Sequence, residues 1–157
     1  MRRFTVLTIL LLLAVALPAA ADSEEQWLEL FRADLRADKV AILTEAMELN
    51  DAQGKEFWPV YREYEGQLAQ IGDRRLELIR RYAENYTTLS EDQAKEIAST
   101  WFGIMDDRAK LRKKYYKKIE RTLKSSIAAR FIQVEHQLSL LLDLEIASEM
   151  PLIEALN

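Results

Sequence analysis

The chain has 157 residues with a formal net charge of −4, and 49% of its residues are hydrophobic. It contains no cysteine, which excludes a disulfide framework and leaves apolar packing to supply stability. With a single histidine and no cysteine, one chain cannot assemble the three or four nitrogen or sulfur ligands of a tight transition-metal site. We therefore expect no metal and no cofactor, and we interpret His136 as a surface or interface histidine.

The first residues, MRRFTVLTILLLLAVALPAAADSEEQ, have the pattern of a secretory signal peptide. Arg2 and Arg3 form its positive start, about fourteen apolar residues follow, and the run ends in an Ala-x-Ala cleavage pattern. That run is short for a bilayer span, which needs about 20 residues, although an uncleaved anchor is an alternative. We predict a signal peptide over 1–21, a single all-helical domain over 22–157, and a periplasmic location.

Two similar stretches, LNDAQ at 49–53 and LSEDQ at 89–93, each predict the start of a helix. In each, a small polar residue can cap the first turn while a glutamine three positions later reaches back, which makes a capping box. The leucine before each cap occupies the position of a hydrophobic staple. These motif residues are Leu49, Asn50 and Gln53, then Leu89, Ser90 and Gln93. A third box, Ser23-x-x-Gln26, predicts a helix start near residue 23.

Long apolar stripes follow the second and third starts. The helix from residue 50 carries Phe57, Tyr61, Tyr64, Leu68, Ile71, Leu78 and Tyr82, with Arg75 at a skipped position. The helix from residue 90 carries Ile97, Trp101, Ile104, Leu111, Tyr115 and Ile119, with Arg108 in the gap. The spacing is that of heptads. Pro59 lies inside the first stripe, and there it predicts a bend near Trp58 rather than a break.

A fourth helix is predicted to begin near Ser125–Ser126 and to end at Pro151. Its middle, LSLLLDLEIA, is apolar around most of its circumference, so we expect it to be the best-buried element. The predicted fold is all-α, a four-helix hairpin-type bundle with long second and third helices of about 50 Å. Because that length exceeds what a small bundle covers, we expect part of the two long stripes to need a dimer partner or a client.

The segment 108–124, RAKLRKKYYKKIERTLK, holds nine basic residues and one acidic residue. It is interpreted either as a solvated face that pairs with acidic neighbours, or as a surface for a client or partner, or as a surface for anionic lipid, which is not favoured. Export and the lack of an accompanying motif argue against nucleic acid. The three tryptophans lie on or beside apolar stripes, where core packing is the default and an exposed binding edge the alternative.

Candidate partner-binding residues are aromatic or basic side chains of the two long helices: Trp58, Tyr61, Tyr64, Trp101, Arg108, Arg112, Lys113, Tyr115, Tyr116 and Lys117. No Ser/His/Asp set, glycine-rich phosphate loop or selected carboxylate pair stands out, so we predict no catalytic residues and no enzyme activity.

The two boxed helix starts resemble the paired L-T-x-x-Q motifs of periplasmic proteins of the Spy/CpxP group, although both lack the threonine here. The resemblance covers about residues 40–125. The stretches FWPVYREYE (57–65) and AARFIQVEHQLSLLLDLEIASEMPL (128–152) resemble a divergent exported branch instead. The resemblance implies antiparallel dimers that form a thin curved cradle, and either ATP-independent binding of unfolded clients or the quieting of an envelope stress sensor.

We therefore expect a homodimeric periplasmic chaperone or stress-response protein that binds unfolded or envelope proteins and does not bind nucleic acid. The first alternative is a structural or adaptor protein that docks on an envelope component through the basic helix 108–124. A metal-responsive periplasmic protein is the second alternative. Binding through the basic face is expected to be lost in high salt, whereas apolar client binding is expected to persist.

Overall fold

The computed structural model describes residues 36–152, and the secondary structure in that range is entirely α-helical. The helices are α1 (36–47), α2 (Asp51–Asn85), α3 (Glu91–Thr122) and α4 (Ser125–Glu149). This confirms the predicted all-α fold with long second and third helices. By its contacts the chain divides between Ile42 and Leu43, and residues from Leu43 onward form one compact unit. The predicted signal peptide and the helix start near residue 23 lie outside the described residues.

Both predicted capping boxes are present and fix where α2 and α3 begin. At the start of α2, Gln53 N–H donates to the Asn50 side chain at 2.9 Å, and Asn50 N–H donates to Gln53 Oε1 at 3.0 Å. At the start of α3, the corresponding Gln93–Ser90 distances are 3.3 and 2.8 Å. Each box gives hydrogen-bond acceptors to two backbone N–H groups that have no partner within the helix.

The connections between helices are short and locally determined. α1 turns into α2 through Glu48, whose backbone φ of 48° lies in the left-handed region that glycine favours. α2 continues unbroken through Pro59 over 35 residues. α3 ends at Thr122, Leu123 N–H donates to Ile119 O at 2.8 Å, and α4 starts at Ser125 as predicted. The third helix therefore does not continue past Ser125.

Side-chain pairs set the register of the three long helices. α2 and α3 run antiparallel, because the partners of successive α2 residues step backwards along α3: Glu63–Lys118, Gln67–Lys114, Arg74–Asp107 and Arg81–Glu96. α4 lies against both and runs parallel to α2, as the pairs Phe57–Phe131, Tyr64–Glu135, Arg75–Asp143 and Tyr82–Pro151 show.

The core is rich in aromatic rings at one end of the bundle. Phe131 of α4 packs edge-on against Phe57 and Tyr64 of α2, with ring centroids 5.6 and 5.3 Å apart. Tyr64 in turn contacts Tyr115 of α3 at 5.4 Å. Offset and edge-to-face aromatic pairs add roughly 0.5–1.5 kcal/mol each beyond burial of their area. The last turn of α1 adds Leu43 and Met47 to the same core.

The skipped positions of both long stripes meet at one carboxylate. Arg75 of α2 and Arg108 of α3 both donate to Asp143 of α4, and Arg108 also donates to the Ser139 hydroxyl. The Arg75 and Arg108 side chains are only 9% and 17% exposed. The charged residue in each stripe is therefore a contact between layers, and we call these three residues the Arg–Asp–Arg cluster.

Two predictions about burial are wrong. The stripes of α2 and α3 are buried or half-buried along their whole length, so neither leaves the uncovered seam that was expected. The middle of α4 is not the best-buried element, since Leu140, Leu141 and Leu144 are 53%, 66% and 69% exposed. The physical reason is that α4 lies at the edge of the bundle. Only the face with Ala128, Phe131 and Glu135 is buried, and its other faces have no covering helix in the described part of the chain.

Candidate partner-binding groove

An open groove runs along the outer side of the α3–α4 pair, with a cavity volume of about 610 Å³. α3 lines it with Ala109, Arg112, Lys113 and Tyr116, and α4 lines it with Ala129, Ile132, Gln133 and His136. These residues recur every three or four positions, so each helix contributes one face to the wall. We call this feature the α3–α4 groove.

The floor and the rim of the groove differ in chemistry. The apolar part of the lining, which we call the floor, consists of Ala109, Tyr116, Ala129 and Ile132, and the two alanines are small and exposed, so the groove is open there. The Tyr116 hydroxyl donates to Glu120 Oε1 at 2.9 Å, and this hydrogen bond raises the pKa of the tyrosine. A ring held this way presents its apolar surface in a fixed position.

The rim is basic. Arg112 Nη1 lies 3.2 Å from His136 Nδ1, which joins the α3 wall to the α4 wall. A guanidinium only donates, so Arg112 can act only as the donor in this contact. Lys113 is exposed and makes no hydrogen bond or salt bridge with any residue that the structure describes. The rim therefore offers Arg112 and Lys113 as cations over an apolar floor.

The rest of the basic segment 108–124 splits into two groups. Arg108, Lys114 and Lys118 bond to neighbouring helices of the same chain, at Asp143, Gln67 and Glu63 respectively, and the two lysine contacts lie at the surface. Lys117 and Arg121 are exposed, and within 36–152 they have neither a hydrogen bond nor an ion pair. The interpretation as a face that pairs with neighbouring residues therefore holds for part of the segment, and the other cations face solvent.

Exposed apolar side chains extend beyond the groove. On α3, Phe102 is 66% and Met105 is 50% exposed, and their spacing places them on the same face as Ala109. On α4, Leu140, Leu141 and Leu144 form what we call the leucine patch. Of its acidic neighbours in sequence, Asp143 is held by Arg75 and Arg108 on the bundle side of the helix, whereas Glu145 is exposed.

Three predicted binding residues belong to the core instead. Tyr61, Tyr64 and Tyr115 are only 2%, 1% and 1% exposed, so they cannot contact a partner of the folded chain. Their hydroxyls are hydrogen-bonded inside the bundle, with Tyr64 donating to Glu135 at 2.8 Å and Tyr115 accepting from Gln67 at 2.7 Å. Burial and the neighbouring Glu135 carboxylate raise the pKa of Tyr64 far above its usual value. These three tyrosines are buried because each lies on the apolar stripe of its helix, which faces the aromatic core.

The other predicted residues are divided between edge and groove. Arg108 is held by the Arg–Asp–Arg cluster, and Trp101 is half-buried with the Arg75 guanidinium 5.3 Å from its ring centroid. Trp58 lines a smaller cavity of about 380 Å³ beside Leu49 and Asn50. Arg112, Lys113 and Tyr116 come together in the α3–α4 groove, and Lys117 lies one turn further along α3.

Sequence reasoning missed the α4 wall of the groove: Ala129, Ile132, Gln133 and His136. A signal for it was available, because these residues recur at helical spacing on the side of α4 away from Phe131. Among residues 36–152 no three His, Cys, Asp or Glu side chains are grouped so as to hold a metal ion. Nor does any helix there have the length and apolar character needed to cross a membrane.

The chain matches no protein-family model, no curated protein and no solved structure. The resemblance to the Spy/CpxP group therefore stays a hypothesis that depends on the two capping motifs and the helical pattern.

Proposed function

We propose that this protein binds unfolded or partner proteins in the cell envelope without ATP, as a chaperone or stress-response protein, and that the α3–α4 groove is its binding surface. The observation that supports the proposal is the groove itself, which is open, has a volume of about 610 Å³, and combines an apolar floor with Arg112 and Lys113 at its rim. Exposed apolar surface with a charged rim is typical of protein interaction sites on soluble proteins.

The size of the groove fits weak and adaptable binding. Cavities of about 300–1,000 Å³ suit small ligands or a few side chains. Burying about 200 Å² of client apolar surface contributes roughly 5 kcal/mol before the entropy of association is subtracted. A binder without a nucleotide cycle needs such modest affinity, because its clients must dissociate spontaneously to fold.

Suppression of the aggregation of a chemically unfolded client tests the proposal. Ala109→Gln and Ala129→Gln place a helix-forming side chain in the groove from each wall, and both alanines are exposed, so folding is retained. We expect the combined variant to need several-fold more protein for the same suppression. Ala69→Gln, at an exposed alanine of α2, is the matched control and is expected to behave as wild type. Absence of suppression by wild type at several-fold molar excess would refute the proposal.

We also propose that a second copy of the chain covers the leucine patch. Leu141 and Leu144 are each about two-thirds exposed, at 66% and 69%, which is a large apolar surface for a protein in water. Leu141→Lys with Leu144→Lys should shift the mass in solution from dimer to monomer. A wild-type mass equal to that of one chain at tens of micromolar would contradict this part of the proposal.

The second candidate function is an adaptor that docks on an acidic envelope component. It is favoured by the exposed cations Lys113, Lys117 and Arg121 on α3. Salt separates the two candidates: surface charge contacts are largely screened at about 1 M salt, where the Debye length is about 3 Å, whereas apolar binding persists. Binding that disappears between low and high salt, and that survives Ala109→Gln, would favour the adaptor.

A further inference from the structure

We infer that the α3–α4 groove selects a particular form of partner segment, an amphipathic α-helix whose apolar face is bordered by acidic residues. This inference rests on the proposed function and deepens it, because it names the chemical class and the conformation of the partner that the groove accepts.

The shape of the groove favours a helix. Two antiparallel helices leave a straight groove parallel to their axes, which is where a further helix packs in a bundle. Ala109 on one wall and Ala129 on the other allow a close approach, since their side chains end at Cβ. An amphipathic helix docks into such a groove through apolar side chains at i, i+3 or i+4, and i+7.

The charges favour acidic borders. Arg112 and Lys113 stand on the α3 wall, and Lys117 lies one turn further along the same helix. Glu120, one turn beyond Lys117, accepts from Tyr116 and from Ser125, each at 2.9 Å. Lys113 and Lys117 are exposed and have no ion pair within 36–152, so carboxylates on a docked helix complement them.

The same features disfavour other anionic partners. A bilayer surface is flat and cannot reach the floor between Ala109 and Ala129 without deforming around two helices. A nucleic acid would use the cations but leave the apolar floor of Ile132 uncovered. A peptide helix with apolar and acidic residues uses both.

Two synthetic peptides of about eighteen residues test the inference, since isolated helices much shorter than this are marginal. They share one apolar face and differ only in its borders, glutamate in one and lysine in the other. A third peptide repeats the glutamate sequence with a central proline that breaks the helix. By fluorescence anisotropy at low salt, we expect the glutamate peptide to bind at least tenfold more tightly than either of the others.

Charge reversal on the protein gives a sharper readout. Lys113→Glu should weaken binding of the glutamate peptide several-fold and strengthen binding of the lysine peptide. Lys95→Glu makes the same change at an exposed lysine of α3 about five turns away and should alter neither. Ala109→Gln should weaken every peptide that binds in the groove.

Several outcomes would overturn the inference. Equal binding of the glutamate and lysine peptides would show that the groove does not distinguish the charge of the residues bordering the apolar face. Equal binding of the glutamate and proline peptides would show that a helix is not required. A solution mass of two chains that Ala109→Gln reduces to one would place a second copy in the groove. If the wild type suppresses aggregation while showing no preference among the peptides, the proposed function stands and only this inference fails.

Discussion

The Arg–Asp–Arg cluster makes a quantitative prediction for Asp143→Ala. Asp143 accepts hydrogen bonds from Arg75 and Arg108, which come from two different helices. Removing its carboxylate leaves two guanidinium groups facing each other across the bundle without their shared counter-charge. Because the Arg75 side chain is only 9% exposed, water cannot replace the lost partner fully.

The size of the effect follows from how deeply each partner lies. Removing one partner of a fully buried ion pair costs about 3–5 kcal/mol. Asp143 itself is 35% exposed, so some water enters and the expected loss is about 2–3 kcal/mol in the free energy of unfolding. Asp107→Ala is the control, because the side chains of Asp107 and Arg74 are 39% and 55% exposed, and the loss of this solvent-screened pair should cost much less than Asp143→Ala.

Urea unfolding followed by helical circular dichroism measures both variants. A further variant, in which Arg75, Arg108 and Asp143 are all replaced by leucine, tests the reasoning from the opposite direction. It makes both stripes continuous, and we expect stability equal to or above wild type, because well-packed apolar residues often match or exceed a buried ion pair. The reasoning is refuted if Asp143→Ala lies within about 0.5 kcal/mol of wild type, or if it costs no more than Asp107→Ala.

Three further predictions concern local contacts. Burial raises the pKa of Tyr61 above its usual 10.0, so its neutral form favours the folded state. Its contribution to stability is full below about pH 10 and falls above it by up to about 1.4 kcal/mol per pH unit. Tyr64 contributes in the same way, so Tyr61→Phe should reduce the pH slope of urea midpoints measured from about pH 10 to 11 without abolishing it. Ser90→Ala removes the α3 cap and should cost about 1 kcal/mol by urea unfolding, whereas Thr88→Ala just outside the helix should be near neutral. Glu48→Gly relieves a φ of 48° and should give a higher thermal midpoint than Glu48→Ala, which equally loses the contact with Arg130, by up to about 1 kcal/mol; equal midpoints for the two variants would show that the left-handed position is not strained.

Local chemistry explains why the helix starts and the stripes could be predicted. A capping box is complete within four residues, so Asn50 and Ser90 fix their helix starts without help from distant parts of the chain. The heptad spacing likewise identifies the buried face of α2, including the position of Arg75. The spacing does not indicate which residue of another helix each stripe residue contacts. That Arg75 and Arg108 share Asp143, far along the chain, appears only in the structure.

The candidate site was predicted only in part for the same reason. Aromatic and basic residues of α3 were selected by type, which included Arg112, Lys113 and Tyr116, three residues that line the groove, but also the buried Tyr115. Tyr115 and Tyr116 are adjacent in sequence, yet a turn of about 100° places the first in the core and the second on the groove floor. Residue type alone cannot separate them, whereas the phase of the stripe can.

The C-terminal half of α4 reverses the usual roles of apolar and polar residues, and this yields a last prediction. Asp143 and the carbonyl of Pro151, which accepts from the Tyr82 hydroxyl at 2.5 Å, hold this half against the bundle, while Leu144 is 69% exposed. A surface substitution usually changes stability by less than about 0.5 kcal/mol. Leu144→Ser should therefore be near neutral, although leucine is normally the residue that a fold cannot lose.

The comparison with Asp143→Ala decides whether stability and association are separable in α4. Both variants change one residue of the same helix turn, and urea unfolding at submicromolar protein keeps association from contributing to the measured stability. If the leucine patch serves binding, Leu144→Ser weakens association at higher concentration while leaving this unfolding curve unchanged. A loss comparable to that of Asp143→Ala would instead mean that Leu144 is covered within a single chain, and the exposed patch would no longer support a second copy or any other partner.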